Sequence, residues 1–312
     1  MNETISVSTP TLLRHSPVEA LVDSAKIRVC VLITAFNRRA FTLECLRKLT
    51  RNLGLQHVAL GAVLVDDGST DGTSEAVKSE FPWVEIVRGD GSLYWCRGMH
   101  AAWQVARQRR YDYYLWLNDD TRLNPDSVAR LLDCESKLSA GGANSVIVVG
   151  STVDEQAGNL TYGGEVRAAW WRPIRFVKVQ PTNEAQPCTS MNGNIVLIPA
   201  DTARLVGNLD PAFEHAMGDT DYALRANKLG VGVWVAPGIH GTCGHNEMSN
   251  TYMDPSLPLT KRWRQMLGRK GLPWRSWLVL TRRHAGFLWP IYFVWPYARL
   301  LLSGVISRFK KQ

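Results

Sequence analysis

The feature that most constrains this chain is a regular alternation across its first half. Short apolar runs rich in β-branched residues alternate with segments of helical period, and the runs close on polar clusters. Ile27–Thr34 leads into Asn37-Arg38-Arg39 and a helical pattern through Phe41, Cys45, Leu46 and Leu49. Val58–Val65 ends in Asp66-Asp67-Gly68-Ser69-Thr70-Asp71-Gly72, before a helix carrying Ala76, Val77 and Phe81. Val84–Val87 is a third strand, and a helix is expected over about 98–110. Tyr113–Leu117 is a fourth, ending at Asn118-Asp119-Asp120, and Ser145–Gly150 a fifth. Between them, Asn124-Pro125 reads as the N-cap and first-turn proline of a helix to about Leu138. Such alternation implies an α/β fold with a mainly parallel central sheet flanked by helices on both faces. Ligands of such sheets bind beyond the carboxyl ends of the strands, where Thr34–Arg38, Asp66–Asp71, Gly89–Ser92 and Asn118–Asp120 fall.

Length and composition fit one large domain with an appendage. The chain has 312 residues, 45% hydrophobic and 21% charged, enough for a sizeable core and too apolar for wholesale disorder. Residues 1–25 show no clear period and read as a flexible tail without the design of a secretory signal. The six cysteines have no CxxC spacing, which points to a reducing compartment rather than a zinc site or disulfide framework. A net charge of +8 favours an anionic partner: a nucleotide, an anionic membrane or nucleic acid. The ordered acidic clusters disfavour the last.

Three acidic clusters could carry chemistry. Asn118-Asp119-Asp120 follows a buried strand, a place where one or two carboxylates can hold Mg²⁺ or Mn²⁺ while substrate phosphate oxygens fill other positions; helix capping is the plainer use. Asp66 and Asp67 could accept hydrogen bonds from a base or ribose, or simply make an Asx turn, and at least one is structural. Gly218-Asp219-Thr220-Asp221 opens a helix. Two positions apart, its acids do not share a face, so one can cap the helix while the other serves as general base. His240 and His245 lie in a following Gly-containing stretch and are candidate ligands or ordinary hydrogen-bonded residues.

These pieces, in this order over about residues 27–250, resemble the inverting family-2 glycosyltransferases of the GT-A fold. The carriers are Thr34–Arg38, Val65–Gly72, Leu117–Thr121, Asn192-Gly193-Asn194 and Gly218–Ala226. Leu93–Met99 and the Trp-rich tail look most like bacterial rhamnosyltransferase-type members. The resemblance implies a metal-dependent enzyme of bacterial surface polysaccharide synthesis. It would move a sugar from a UDP- or dTDP-linked donor to a hydroxyl of a glycan or lipid-linked acceptor. Asp66, Asp67, Asp119, Thr34 and Arg38 would bind the donor, and Asp120 would hold a divalent ion with His240 or His245. Asp219 would be the catalytic base. Asn118 stands where the family's metal motif has its first Asp, and Gly218 where an acid usually precedes the base.

The domain is thus expected over 26–250, followed by a Trp/Arg-rich helical C-terminal extension over 251–312. The stretch 285–306 approaches membrane-spanning length, but Pro290, Pro296 and Arg299 argue against a simple span. An interfacial segment on an anionic membrane fits, as does a packed helical subdomain or dimer contact. The protein is then cytoplasmic, or peripheral on the inner face of the cell membrane. The alternatives are a nucleotidyltransferase, for which no basic Gly-rich phosphate loop follows the first strand, and a non-catalytic carbohydrate- or polyanion-binding protein.

Overall fold

The computed structural model describes residues 26–244 and 251–309; the tail expected over 1–25 and His245 lie outside them. The order is β1 (Ile27–Ala35), α1 (Arg39–Thr50), β2 (Val58–Asp66), α2 (Thr73–Glu80), β3 (Val84–Arg88), α3 (Tyr94–Ala106), β4 (Tyr113–Leu117), β5 (Arg122–Leu123), α4 (Ser127–Ala140) and β6 (Val146–Val153). Short strands follow: β7 (Leu160–Tyr162), β8 (Gly164–Arg167), β9 (Phe176–Lys178), β10 (Gln186–Cys188), β11 (Ser190–Met191) and β12 (Ile195–Pro199). The chain then forms α5 (Ala200–Val206), α6 (Gly218–Lys228), β13 (Gly232–Thr242), α7 (Leu259–Leu267), α8 (Trp274–His284) and α9 (Trp289–Phe309).

The main sheet has the order β10-β13-β6-β12-β4-β1-β2-β3, and β11-β8-β9 forms a small second sheet. From β4 through β3 the pairs are parallel, as the alternation predicts. The other half is mixed, because β12 enters between β4 and β6 antiparallel to both. Each strand run is buried on both faces, so two cores form. One gathers α1, α2 and α4; the other gathers α3, α5 and α6 around Trp103, Trp116 and Tyr222.

Two helix starts differ from the sequence reading. Helix α3 begins at Tyr94, a turn early, and α4 begins at Ser127 rather than Pro125. Asn124 does not cap α4: its side-chain amide donates to the Ile239 carbonyl at 3.0 Å, tying the turn to β13. All six cysteines are buried and unpaired.

The extension is not packed as an appendage. Trp277 and Leu280 of α8 belong to the same core as α3 and α6. Its last turn also reaches the fully buried Asp221 of α6. Arg225 Nε lies 2.8 Å from Asp221 Oδ2, while His284 Nε2 and Arg283 Nη1 lie 2.9 and 3.2 Å from Oδ1. Burial alone would raise the pKa of Asp221. The His284 hydrogen bond and the Arg225 and Arg283 pairs overturn that and hold it below the ordinary aspartate value. A depressed carboxylate stabilises above the unfolded value of ~3.9 and loses that contribution as pH falls through the folded value.

Asp221→Asn strips the charge that Arg225 and Arg283 pair with and that His284 hydrogen-bonds. Such losses cost about 3–5 kcal/mol, so the melting temperature at neutral pH should drop on the order of 10 °C. A drop of a degree or less by calorimetry would show that Asp221 does not hold the extension.

Candidate active site

The rim of the site is two loops stitched together at the ends of β1 and β2. Asn37 takes a left-handed backbone (φ 51°), which asparagine tolerates better than most residues. Its N–H donates to Ser69 Oγ at 2.8 Å, its Oδ1 accepts from Thr70 N–H at 2.8 Å, and Arg39 N–H donates to Asp71 at 2.9 Å. Asp66 is buried and accepts from Ser69 N–H at 2.9 Å and from the Ser74 hydroxyl. Asp67 is buried as well, accepting the N–H groups of Gly91, Leu93 and Tyr94 at 3.0, 3.2 and 2.8 Å. Both acids expected to bind the donor thus also hold the rim together. Thr34, at the end of β1, lies under Gly98 of α3, where any side chain would collide with it.

At the end of β4, the Arg38 guanidinium bridges two acids, with Nη1 2.9 Å from Asp119 Oδ1 and Nη2 2.8 Å from Asp120 Oδ2. Asp119 is 4% exposed, and its Oδ2 has no hydrogen-bond partner among the described residues. Burial pushes its pKa up to about 7; the charge of Asp120 adds to the rise and Arg38 opposes it. Asn118 Oδ1 accepts from the Trp95 indole at 2.7 Å. The strand β13 reaches this turn through Cys243, whose Sγ lies 3.5 Å from Asp120 Oδ1.

His240, a candidate ligand from the sequence, sits inside the fold. It is fully buried on β13 with its ring against Gly150, and burial with the nearby Arg130 charge pushes its pKa down to about 3. Neither of its ring nitrogens has a hydrogen-bond partner among the described residues.

Asp219 opens α6 and is partly exposed, unlike Asp221. Its Oδ2 accepts from Gly193 N–H at 3.0 Å and its Oδ1 from Thr220 N–H at 2.8 Å. Burial nevertheless raises its pKa, with those two hydrogen bonds pulling the other way. A Cβ on Gly193 would collide with the Trp95 ring, so Trp95 lies directly against the backbone that holds Asp219. One indole thus spans the acidic turn and the helix-opening acid. Gly218 is explained in the same way: a side chain there would meet Cys96, leaving no room for an acid before Asp219. Met217, one residue earlier, has a left-handed backbone (φ 73°), as does Tyr94 (φ 57°).

Two participants were not identified from the sequence as site residues. Trp95 lies in the Leu93–Met99 stretch, but nothing in its spacing shows that it reaches both Asn118 and Gly193. Glu165 lies on β8, in the irregular region after β6, where no motif marks it. Burial and the charge of Asp219 push the Glu165 pKa up to about 7.

Comparison with known proteins identifies the family and the fold. The model of the family described as "Glycosyl transferase family 2" matches residues 30–194, just over half of the chain. A curated relative, the N-acetylglucosaminyl-diphospho-decaprenol L-rhamnosyltransferase of Mycobacterium tuberculosis, is 22% identical over 250 residues, covering 73% of this chain and 76% of that protein. The crystal structure of GalNAc-T7 with UDP, GalNAc and Mn²⁺ superposes with a TM-score of 0.55 at 16% identity, over 78% of this chain. That of S. aureus TarS gives 0.50 at 11% identity over 82%. The match spans under half of each of those two solved chains, 48% and 42%. These likenesses are to the GT-A fold.

Two outcomes follow from the geometry. Because Asp119 is protonated more readily folded than unfolded, stability falls as pH rises from ~3.9 through about 7. Asp119→Asn should flatten that slope and melt a few degrees above the parent at about pH 8, with little difference near pH 4. A lower melting temperature at pH 8 would mean that the Arg38 pair outweighs burial. Gly193→Ala should leave the melting temperature within a few degrees of the parent but displace Trp95. The change in near-ultraviolet circular dichroism checks this; an unaltered spectrum would contradict the close approach.

Proposed function

The chain belongs to glycosyl transferase family 2, and from that premise we propose that it moves a rhamnose-type deoxyhexose from a UDP- or dTDP-linked donor to a hydroxyl of a lipid-linked glycan, inverting the anomeric carbon, in bacterial surface polysaccharide synthesis. The acceptor and sugar classes rest on the relative's printed activity, a rhamnosyl transfer onto an N-acetylglucosaminyl-diphospho-decaprenol.

The observation that carries the reaction is the contrast between two acids at one helix start. Asp221 is fully buried and shared among Arg225, Arg283 and His284, so its pKa is held down. Asp219 is partly exposed and its pKa is raised, which makes it the stronger base once ionised. Asp219 takes the proton of the acceptor hydroxyl as that oxygen bonds to the anomeric carbon. The bond from that carbon to the donor diphosphate breaks, and its electron pair leaves with the diphosphate. In this reading Arg38, at the acidic turn, is the cation that meets the donor, with Thr34 and Asp119 lining its pocket. Asp66 and Asp67 act through the rim they hold.

A divalent ion is compatible with the acidic turn. The orphan oxygen of buried Asp119 is one donor and the neighbouring Asp120 a second. That is the one or two carboxylates that Mg²⁺ or Mn²⁺ takes when phosphate oxygens and water complete its shell. When bound, it supplies positive charge for the departing diphosphate.

Asp219→Asn keeps the shape and removes the proton acceptor. Scored by nucleoside diphosphate release over a panel of nucleotide sugars, turnover should fall roughly 10²- to 10⁴-fold with donor affinity kept. The acidic limb of the parent pH–rate profile should lie above the ordinary aspartate value. Near-normal turnover in Asp219→Asn would remove it from the role; release from no sugar of the panel by the parent would remove the donor class.

A further inference from the structure

Helix α9 is apolar on both faces, and only one is covered. On its inner face, Trp277 Nε1 donates to the Phe293 carbonyl at 3.1 Å, the Tyr297 hydroxyl donates to the Leu272 carbonyl at 2.9 Å, and Leu300 is buried. On the other face, Phe287 just before the helix is 89% exposed. Ile291, Trp295 and Leu302 follow at helical spacing, 61%, 57% and 54% exposed. A helix apolar all round is ordinarily a buried one.

A segment far away in sequence joins this surface. The loop between β8 and β9 presents Trp170 and Trp171, the former 91% exposed. The Tyr292 hydroxyl of α9 donates to the Trp171 carbonyl at 2.6 Å, which fixes the loop beside the helix. The loop and the extension that carries α9 are basic and free of acids, with Arg299 and Arg308 the cations within α9 itself. Residues 255–312 hold twelve Lys or Arg and no Asp or Glu, and residues 166–183 hold four and none. The first 254 residues carry 24 basic and 28 acidic side chains, so the positive excess of the whole protein resides in the extension. A second copy seated on this face would bring like charge to like charge. No described helix is long and apolar enough to cross a membrane, and α9 carries Pro296 within it and the charge of Arg299. Tryptophan and arginine around an exposed apolar stripe are what the interface of a bilayer accommodates.

We propose that α9 and the Trp170–Trp171 loop together form one surface that seats the protein on a bilayer bearing anionic lipids, with α9 lying in the interface. The proposal stands on this surface alone and holds whether or not the acceptor is lipid-linked.

The test is co-sedimentation of the full chain with phosphatidylcholine vesicles, with and without phosphatidylglycerol. The parent should sediment with the anionic vesicles, and added salt should weaken that binding. The double variant W170S/W171S and the triple variant F287S/I291S/W295S should each lose about tenfold or more in partitioning, since each removes large apolar groups from the contact. Their melting temperatures should stay within a few degrees of the parent, because these side chains are exposed. Three results would overturn the proposal: a parent that ignores anionic vesicles, a loop variant that binds like the parent, or a parent that is a dimer in solution and becomes monomeric in either variant. The last would make the face a contact between copies.

Discussion

The close approach of the Trp95 ring to the backbone of Gly193 is the contact on which the site depends. The indole N–H is fixed on Asn118 at the acidic turn, and the ring packs on Trp116 of β4 with centroids 6.0 Å apart. Its other side lies on Gly193, whose N–H holds Asp219. The spacing between the acids at the end of β4 and the acid opening α6 is therefore set by the dimensions of one rigid aromatic group. A neutral Asn118 suits this design: it accepts the indole without adding a third negative charge beside Asp119, already pushed up to about 7 by burial and Asp120.

The backbone around the site bears the same mark. Among the described residues, the left-handed non-glycine positions are Asn37, Tyr94 and Met217, one each at the rim, beside Trp95 and before Asp219. Such positions cost energy and persist where the surroundings over-determine them. The surroundings here are Asp67 accepting the Tyr94 N–H, the interlocked Asn37 and Ser69 loops, and Gly218 packed on Cys96.

Much of this was legible from local pattern. The parallel half of the sheet follows from strand and helix periods, and the acidic turn falls at a strand end where periodicity puts it. The direction of the Asp221 shift was also accessible, since a first-turn acid is held ionised. Its cause was not: Arg283 and His284 lie some sixty residues on, and no local pattern brings them to α6. The burial of His240 leaves no sign in its Gly-containing stretch. The rim-building bonds of Asp66 and Asp67 were legible only as an alternative, because a turn that builds a rim and a turn that binds a ligand use the same residues. Glu165 and Trp95 required the tertiary fold, as did the place of β12 between β4 and β6.

The extension packs on the catalytic domain through α8 and leaves an apolar surface outward at α9. The reaction itself turns on one claim, a single displacement with Asp219 as base and no covalent intermediate. The measurement that tests it most directly is the anomeric configuration of the product, read by nuclear magnetic resonance, from whichever nucleotide sugar supports turnover. The account predicts configuration opposite to that of the donor; a product with the donor's configuration would contradict it.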